Sequence, residues 1–144
     1  MSKHHQIEIL CDDRSLLLMD EKTTIAQLGN MVRLFCEERN WDQFHSAKDL
    51  AIGVVTEASE LLDKFRFKSE QETTEMLREL DRREEVGDEL ADVLYFLLRF
   101  AQMNKFDLST EFVRKMEKNA EKYPLNTSLG SNKKYSEIRQ NTHM

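Results

Sequence analysis

One run constrains the fold more than any other: Glu85-Val86-Gly87-Asp88-Glu89-Leu90-Ala91-Asp92-Val93-Leu94-Tyr95-Phe96-Leu97-Leu98-Arg99-Phe100-Ala101. It reads as one helix whose second half is apolar on nearly every face, and such a helix is stable only when covered all round. A lone four-helix bundle leaves one side of each helix wet, so part of this helix is expected to lie against another subunit. Helix breakers are scarce elsewhere too, with four Gly and one Pro in 144 residues, which favours long helices over a turn-rich sheet. The expected fold is all-α and four-helix-bundle-like, assembled into a homo-oligomer. The length suits one domain able to bury its own core.

The elements can be placed from caps and periodicity. Residues 1–22 mix polar positions with the patch Leu16-Leu17-Leu18-Met19 and carry no clear period, which predicts an N-terminal arm. Thr24-x-x-Gln27 is a capping-box pattern, with Ile25, Leu28, Val32 and Phe35 on one face behind it, so a first helix should run from Thr24 to near Asn40. Ser46 should cap a second helix that ends at about Phe65, with Leu50, Val54, Leu61 and Phe65 as its apolar stripe. Residues 67–83 are polar and read as a mobile connection, with Ser69 and Thr74 as caps for a short helical piece. A fourth helix is expected from Thr110 to Tyr123, capped by Ser109 and facing inward through Phe112, Val113, Met116 and Ala120, with Pro124 as its stop. The helical domain thus spans residues 23–124. Residues 125–144 have too few apolar positions to pack as an element and read as a flexible tail or lid.

A formal net charge of -6 argues against a DNA or RNA polymer as partner, because phosphate backbones attract basic surfaces. No apolar run approaches the roughly 18 residues of a membrane span, and no basic-then-apolar leader opens the chain. Cys11 and Cys36 have no ligand spacing and read as free thiols of a cytoplasmic protein.

Two carboxylate pairs, Glu57-x-x-Glu60 and Glu89-x-x-Asp92, sit inside the most apolar stretches. At i, i+3 spacing both acids of a pair project from one helix face, so two facing helices would gather four carboxylates in one small volume. Such a cluster persists only if its pKa values rise or hard cations enter, and oxygen-only ligands favour magnesium, manganese or calcium. Acids at this spacing also abound on ordinary solvated helices, and the chain has 27 of them. The apolar neighbours Leu90, Val93 and Leu94 and the presence of a second matching pair favour the site. Neither candidate helix carries the His of a di-iron bundle, and there is no GxxxxGK[ST] loop or GxSxG elbow. What remains is magnesium-assisted attack of water on phosphorus, with Glu57, Glu60, Glu89 and Glu85 all open as general base. Of the aromatic residues, Phe44 and Phe96 read as core, Trp41 and Phe67 lean toward a ligand pocket, and Tyr95 and His45 suit either role. Lys115, Lys122, Lys133, Lys134 and Asn119 could reach phosphates or be plain surface.

The segments Glu38-Arg39-Asn40-Trp41-Asp42-Gln43-Phe44-His45, Glu57-Ala58-Ser59-Glu60-Leu61, Asp88-Glu89-Leu90-Ala91-Asp92-Val93-Leu94 and Lys115-Met116-Glu117-Lys118-Asn119-Ala120-Glu121-Lys122-Tyr123-Pro124 together resemble the MazG-like, all-α nucleoside triphosphate pyrophosphohydrolases, in particular their dCTP pyrophosphatase branch. The resemblance implies hydrolysis of a nucleoside triphosphate to monophosphate and pyrophosphate. Glu57, Glu60, Glu89 and Asp92 would hold Mg2+, with Mn2+ as a substitute. Trp41, His45, Phe67 and Tyr95 would lie about the base, and Lys115, Asn119 and Lys122 near the nucleotide. Members are similar in forming dimers or tetramers. Relatives often carry Trp at the place of Phe67, Tyr at Phe96 and His at Val32, so this chain is expected to choose among bases less strictly. The competing readings are a helical metal- or partner-binding protein without turnover and a diphosphohydrolase acting on dUTP or another phosphate.

Overall fold

The computed structural model describes residues 20–131, and every regular element among them is helical. The order is α1 (Ile25–Glu38), a 3-10 turn (Asp42–Phe44), α2 (Ala47–Phe65), α3 (Glu70–Met76), α4 (Leu80–Met103), α5 (Leu108–Lys122) and α6 (Leu125–Ser128). The all-α expectation holds, with six helices rather than four.

The caps explain most of the boundaries. The hydroxyl of Thr24 accepts from the Gln27 N–H and the Gln27 side chain accepts from the Thr24 N–H, closing the expected box at the start of α1. Ser46 accepts from the Asp49 N–H at the head of α2. Ser69 and Glu72 form a second reciprocal box that starts α3, so most of the segment read as a mobile connection is ordered helix. The short helical piece expected behind Ser69 is thus α3, in which only Met76 is buried. The long helix begins at Leu80, five residues before the expected Glu85, and runs two past Ala101. The cap of α5 is Asp107, which accepts from the Thr110 N–H, and not Ser109. Leu125–Ser128, placed by sequence in the tail, makes one further short helix. The N-terminal arm up to Met19, and Lys133 and Lys134, lie outside the described residues.

The chain divides into two compact units, residues 1–106 and 107–144. In the first, α2 and α4 run antiparallel. At one end a Cβ on Gly53 would stand 2.3 Å from the Phe96 ring, so glycine permits the close approach there. At the other end the Lys64 ammonium reaches Glu89 and Glu85. Helix α1 packs on α4 through Phe35, whose ring meets that of Tyr95 edge-on, and through the buried Cys36 thiol, 3.0 Å from the Tyr95 hydroxyl. Cys36 is a free thiol, as expected, while Cys11 lies outside the described residues.

Among the described residues buried apolar side chains are few: Cys36, Leu50, Met76, Val86, Leu98 and Ala101. By contrast, Ile52, Val55 and Leu62 on α2 and Leu90, Leu94 and Leu97 on α4 stay exposed, Leu62 by 64%. Phe44, assigned to the core by sequence, is 64% exposed on its 3-10 turn. In the second unit Phe112, Val113 and Met116, the expected inner face of α5, are also exposed. No helix among the described residues is long and apolar enough to cross a membrane.

Candidate metal centre and nucleotide pocket

The antiparallel α2 and α4 pair stacks the acidic residues in layers one helical turn apart. Glu57 lies one turn beyond Gly53 on α2, and Asp92 one turn before Phe96 on α4. Glu57, Glu60 and Glu89 each offer a carboxylate oxygen, and all three oxygens lie within 4.8 Å of one another. Asp92 is not in that trio, yet its charge is felt at Glu57. Desolvation, followed by the charges of Glu60, Asp92 and Glu89, pushes the Glu57 carboxyl above its ordinary value. Glu57 and Glu89 are half-buried and Glu60 and Asp92 exposed, so the acids sit at the edge of the apolar stripe rather than within it.

The donor set fits a hard divalent cation. All ligands are carboxylate oxygens from two different helices, and opposite oxygens on one Mg2+ stand about 4 Å apart, given bonds of about 2.0–2.1 Å. Closing a trio that spans at most 4.8 Å onto one ion asks only for side-chain adjustment.

Sequence reasoning missed Lys64. Its ammonium lies 3.1 Å from Glu89 and 3.7 Å from Glu85, and the Glu89 bond and neighbouring carboxylates raise its pKa. The expectation that the acids need raised pKa values or an outside cation therefore changes: a tethered cation offsets part of their charge. The signal was present, since Lys64 follows Glu60 by four residues and Glu57 by seven and so shares their helix face. A cleft of about 510 Å³ opens at this end, lined by Lys64, Lys68, Glu72, Glu75, Arg82 and Glu85 among others.

The aromatic residues gather at the other end. Trp41, 40% exposed, meets the Phe35 ring edge-on at 5.6 Å and the His45 ring at 6.4 Å. Phe35 continues to Tyr95 and Tyr95 to Phe96, so a line of rings leads from His45 to the Gly53 contact, one turn from the acids. Phe96 is half-buried, its ring against Gly53. The hydroxyl of Tyr95 is engaged with Cys36, and burial and that bond raise its pKa steeply. Phe67 does not join the line. It stands at the end of α2 with φ +63° and its ring 91% exposed, beneath the Arg66 guanidinium. A bulky side chain held in the left-handed region and turned to water is a strained arrangement of the kind found at ligand sites.

His45 is the second feature the sequence did not resolve. Its Nδ1 accepts a 2.9 Å hydrogen bond from Nε of Arg99, a side chain only 1% exposed, and desolvation and the Arg99 charge hold its pKa below the ordinary value, against the opposing effect of Asp42. Lys115, Asn119 and Lys122 lie on α5 at i, i+4 and i+7 and so share one face of that helix, in the second unit. The Lys122 ammonium stands 5.6 Å from the Tyr123 ring, and the Asn119 carbonyl accepts from the Tyr123 N–H.

The chain is similar to known proteins. The MazG-like family model matches residues 52–138. The dCTP pyrophosphatase 1 of Rattus norvegicus is 32% identical over 119 residues, 83% of this chain and 70% of that protein. The dCTP pyrophosphatase 1 of Homo sapiens is 30% identical over 115 residues, 80% of this chain and 68% of that protein. Among solved structures, a pyrophosphatase from Archaeoglobus fulgidus superposes with a TM-score of 0.66 at 34% identity, covering 74% of this chain and 98% of that one. With one family model spanning most of the chain and relatives at this identity over most of their length, the chain belongs to the MazG-like family.

Proposed function

We propose that this protein is a magnesium-dependent nucleoside triphosphate pyrophosphohydrolase that releases nucleoside monophosphate and pyrophosphate, with deoxynucleotides, dCTP among them, as substrates. The observation that carries this reading is the trio of carboxylate oxygens from Glu57, Glu60 and Glu89 within 4.8 Å, on a chain whose relatives are dCTP pyrophosphatases. Bound magnesium, or manganese in its place, would offset the charge of the triphosphate and lower the pKa of a water. Asp92 is proposed as the fourth ligand, since its charge already acts on Glu57.

The residues themselves supply the rest. One carboxylate of the cluster, Glu57, Glu60, Glu89 or the neighbouring Glu85, is proposed to take a proton from water as it attacks the α-phosphorus, a contribution of about 10²–10⁴ in rate. The bond from that phosphorus to the bridging oxygen breaks, and pyrophosphate leaves. Lys64, Lys68 and Arg82 bring positive charge to the adjoining cleft and are proposed to steady the leaving phosphates. Trp41, His45 and Tyr95 are proposed to border the base, while Phe67, at the far end of α2, stands apart from them. The exposed stripes of Val55 and Leu62 on α2 and Leu90, Leu94 and Leu97 on α4 support self-association as a dimer or tetramer, since side chains of this kind are seldom left in contiguous patches on monomers.

One observation favours a competing reading. Lys64 already pairs with Glu89, and on this reading the acids are balanced internally in a helical protein that binds partners without turnover. Incubating the protein and its Glu60→Gln variant with magnesium and each dNTP and NTP, and resolving nucleotides and pyrophosphate, separates the two. Monophosphate plus pyrophosphate, lost in the variant, is the expected result. No turnover of any nucleotide with magnesium or manganese overturns the enzyme reading.

A further inference from the structure

Arg99 is the largest fully buried side chain among the described residues, and the metal centre makes no use of it. Its guanidinium donates through Nε to His45 Nδ1 at 2.9 Å, through one terminal nitrogen to Gln102 Oε1, and through the other to Asp42 Oδ1. A guanidinium carries only N–H donors and stays protonated at any working pH. The His45 nitrogen that faces it must therefore present a lone pair, which leaves the imidazole proton on Nε2.

Surrounding groups hold that state. Burial and the positive charge of Arg99 both disfavour a second proton on the ring, and Asp42, which favours it, spends one oxygen on Arg99. The Trp41 ring meets the His45 ring edge-on from the same turn. Arg99 sits on α4 and His45 just after the 3-10 turn, so the clamp joins the loop that bears Trp41 and His45 to the helix that bears Glu89 and Asp92.

We propose that Arg99 is a positioning residue that fixes His45 as an Nε2–H donor, and that this fixed donor selects among nucleobases by requiring an acceptor on the edge turned toward it. The inference rests on the reading, made above, that His45 borders the nucleotide. An unrestrained imidazole can offer either an N–H or a lone pair and so accommodates donors and acceptors alike. A clamped one cannot, and a polar site with one fixed partner rejects the mismatched ligand far more strongly than an apolar wall does. Arg99 thereby works against the loss of base discrimination expected from the apolar residues elsewhere in the pocket.

The first test needs no substrate. Long-range proton–nitrogen correlation spectra of 15N-labelled protein, with His45 assigned by a His45→Asn variant, report which ring nitrogen is protonated. The expected result at neutral pH is a single tautomer with the proton on Nε2; a proton on Nδ1, or a fast average of the two, overturns the proposal. In Arg99→Met the tautomers should average, and in Arg99→Lys, which keeps one donor, the fixed form should partly return. The second test compares kcat/KM across the four dNTPs. In Arg99→Met the ratio of best to worst base should fall about tenfold while kcat for the best base stays within about threefold. A uniform loss over all bases would mark Arg99 as merely structural and overturn the selection claim. If the wild-type protein turns over no nucleotide, the proposed function fails. Selection is then read from the shift of His45 Nε2 on adding dCMP, dTMP, dAMP or dGMP, where equal shifts, or none, overturn it.

Discussion

The two ends of the α2–α4 pair both gather charge, and they handle it in opposite ways. At the Arg99 end a single buried cation meets side-chain acceptors from Asp42, His45 and Gln102, so each of its three nitrogens donates and the charge is answered within the chain. At the other end Glu57, Glu60, Glu89 and Asp92 face one cation, Lys64, and Glu57 remains under repulsion from its neighbours. A balanced charge holds a group in place, whereas an unbalanced one has something left to bind. The contrast explains why the first end is suited to orienting His45 and the second to a divalent ion.

The largest effect that would sharpen this contrast comes from neutralising the unbalanced end. Glu57→Gln should lower turnover by at least about a hundredfold, as expected for loss of one carboxylate from the proposed metal site. It should also leave the metal-free protein as stable as before or more so, because one repelling charge is gone. Steady-state kinetics beside urea denaturation reads both signs. Loss of activity accompanied by loss of stability would break the comparison.

Neutralising the balanced end should do the reverse. Arg99→Ala removes a buried charge together with its volume and strands its acceptors, and should cost about 2–4 kcal/mol in urea denaturation. Because Asp42 is half exposed and can be rehydrated, the loss should sit below that for a pair buried on both sides. Next in size is magnesium itself. At a hundred times its dissociation constant it should stabilise the wild-type fold by about 2.7 kcal/mol, and the Glu60→Gln variant by much less. A thermal melt with and without the ion checks this. Gly53→Ala, between the two ends, should cost about 1–3 kcal/mol through overpacking on Phe96, partly offset by the better helix propensity of alanine.

The smallest effect is a pair of opposed pH slopes. Glu57 has a raised pKa in the fold, so the folded state binds more protons there, and its contribution to stability is lost as pH rises above 4.5 through the shifted value. His45 has a lowered pKa, so its contribution is present above 6.5 and lost as pH falls through the shifted value. Glu57→Gln should remove the first slope and leave the second, and His45→Asn should do the opposite. Denaturation midpoints between pH 4 and 8 measure both.

Much of this was legible in the chain. The Thr24–Gln27 and Ser46 caps, the end of α2 and the i, i+3 acids are local patterns, and local patterns survive folding when the rest of the sequence agrees with them. The short helical piece behind Ser69 is legible from its cap, while a short polar helix has no apolar period to set its extent, so the segment around it reads as a mobile connection. The sequence points to Ser109 as the cap of α5 and the structure uses Asp107, a two-residue shift typical of helix ends. Phe44 was placed in the core because hydrophobicity alone does not tell which way a ring points from a 3-10 turn. Lys64 stands on the face of Glu57 and Glu60, which its spacing shows, but its partner Glu89 lies across helices. The role of Arg99 depends on Asp42 and His45 at separations that no periodicity encodes.

The most direct test of the unbalanced acidic end as a magnesium-dependent phosphoanhydride hydrolase is hydrolysis of dCTP in 18O-labelled water with magnesium, followed by mass spectrometry of both products. The account predicts one 18O in dCMP and none in pyrophosphate, because water attacks the α-phosphorus and pyrophosphate leaves intact. Label in pyrophosphate or orthophosphate, or no turnover of dCTP or any other nucleoside triphosphate with magnesium or manganese, would contradict it.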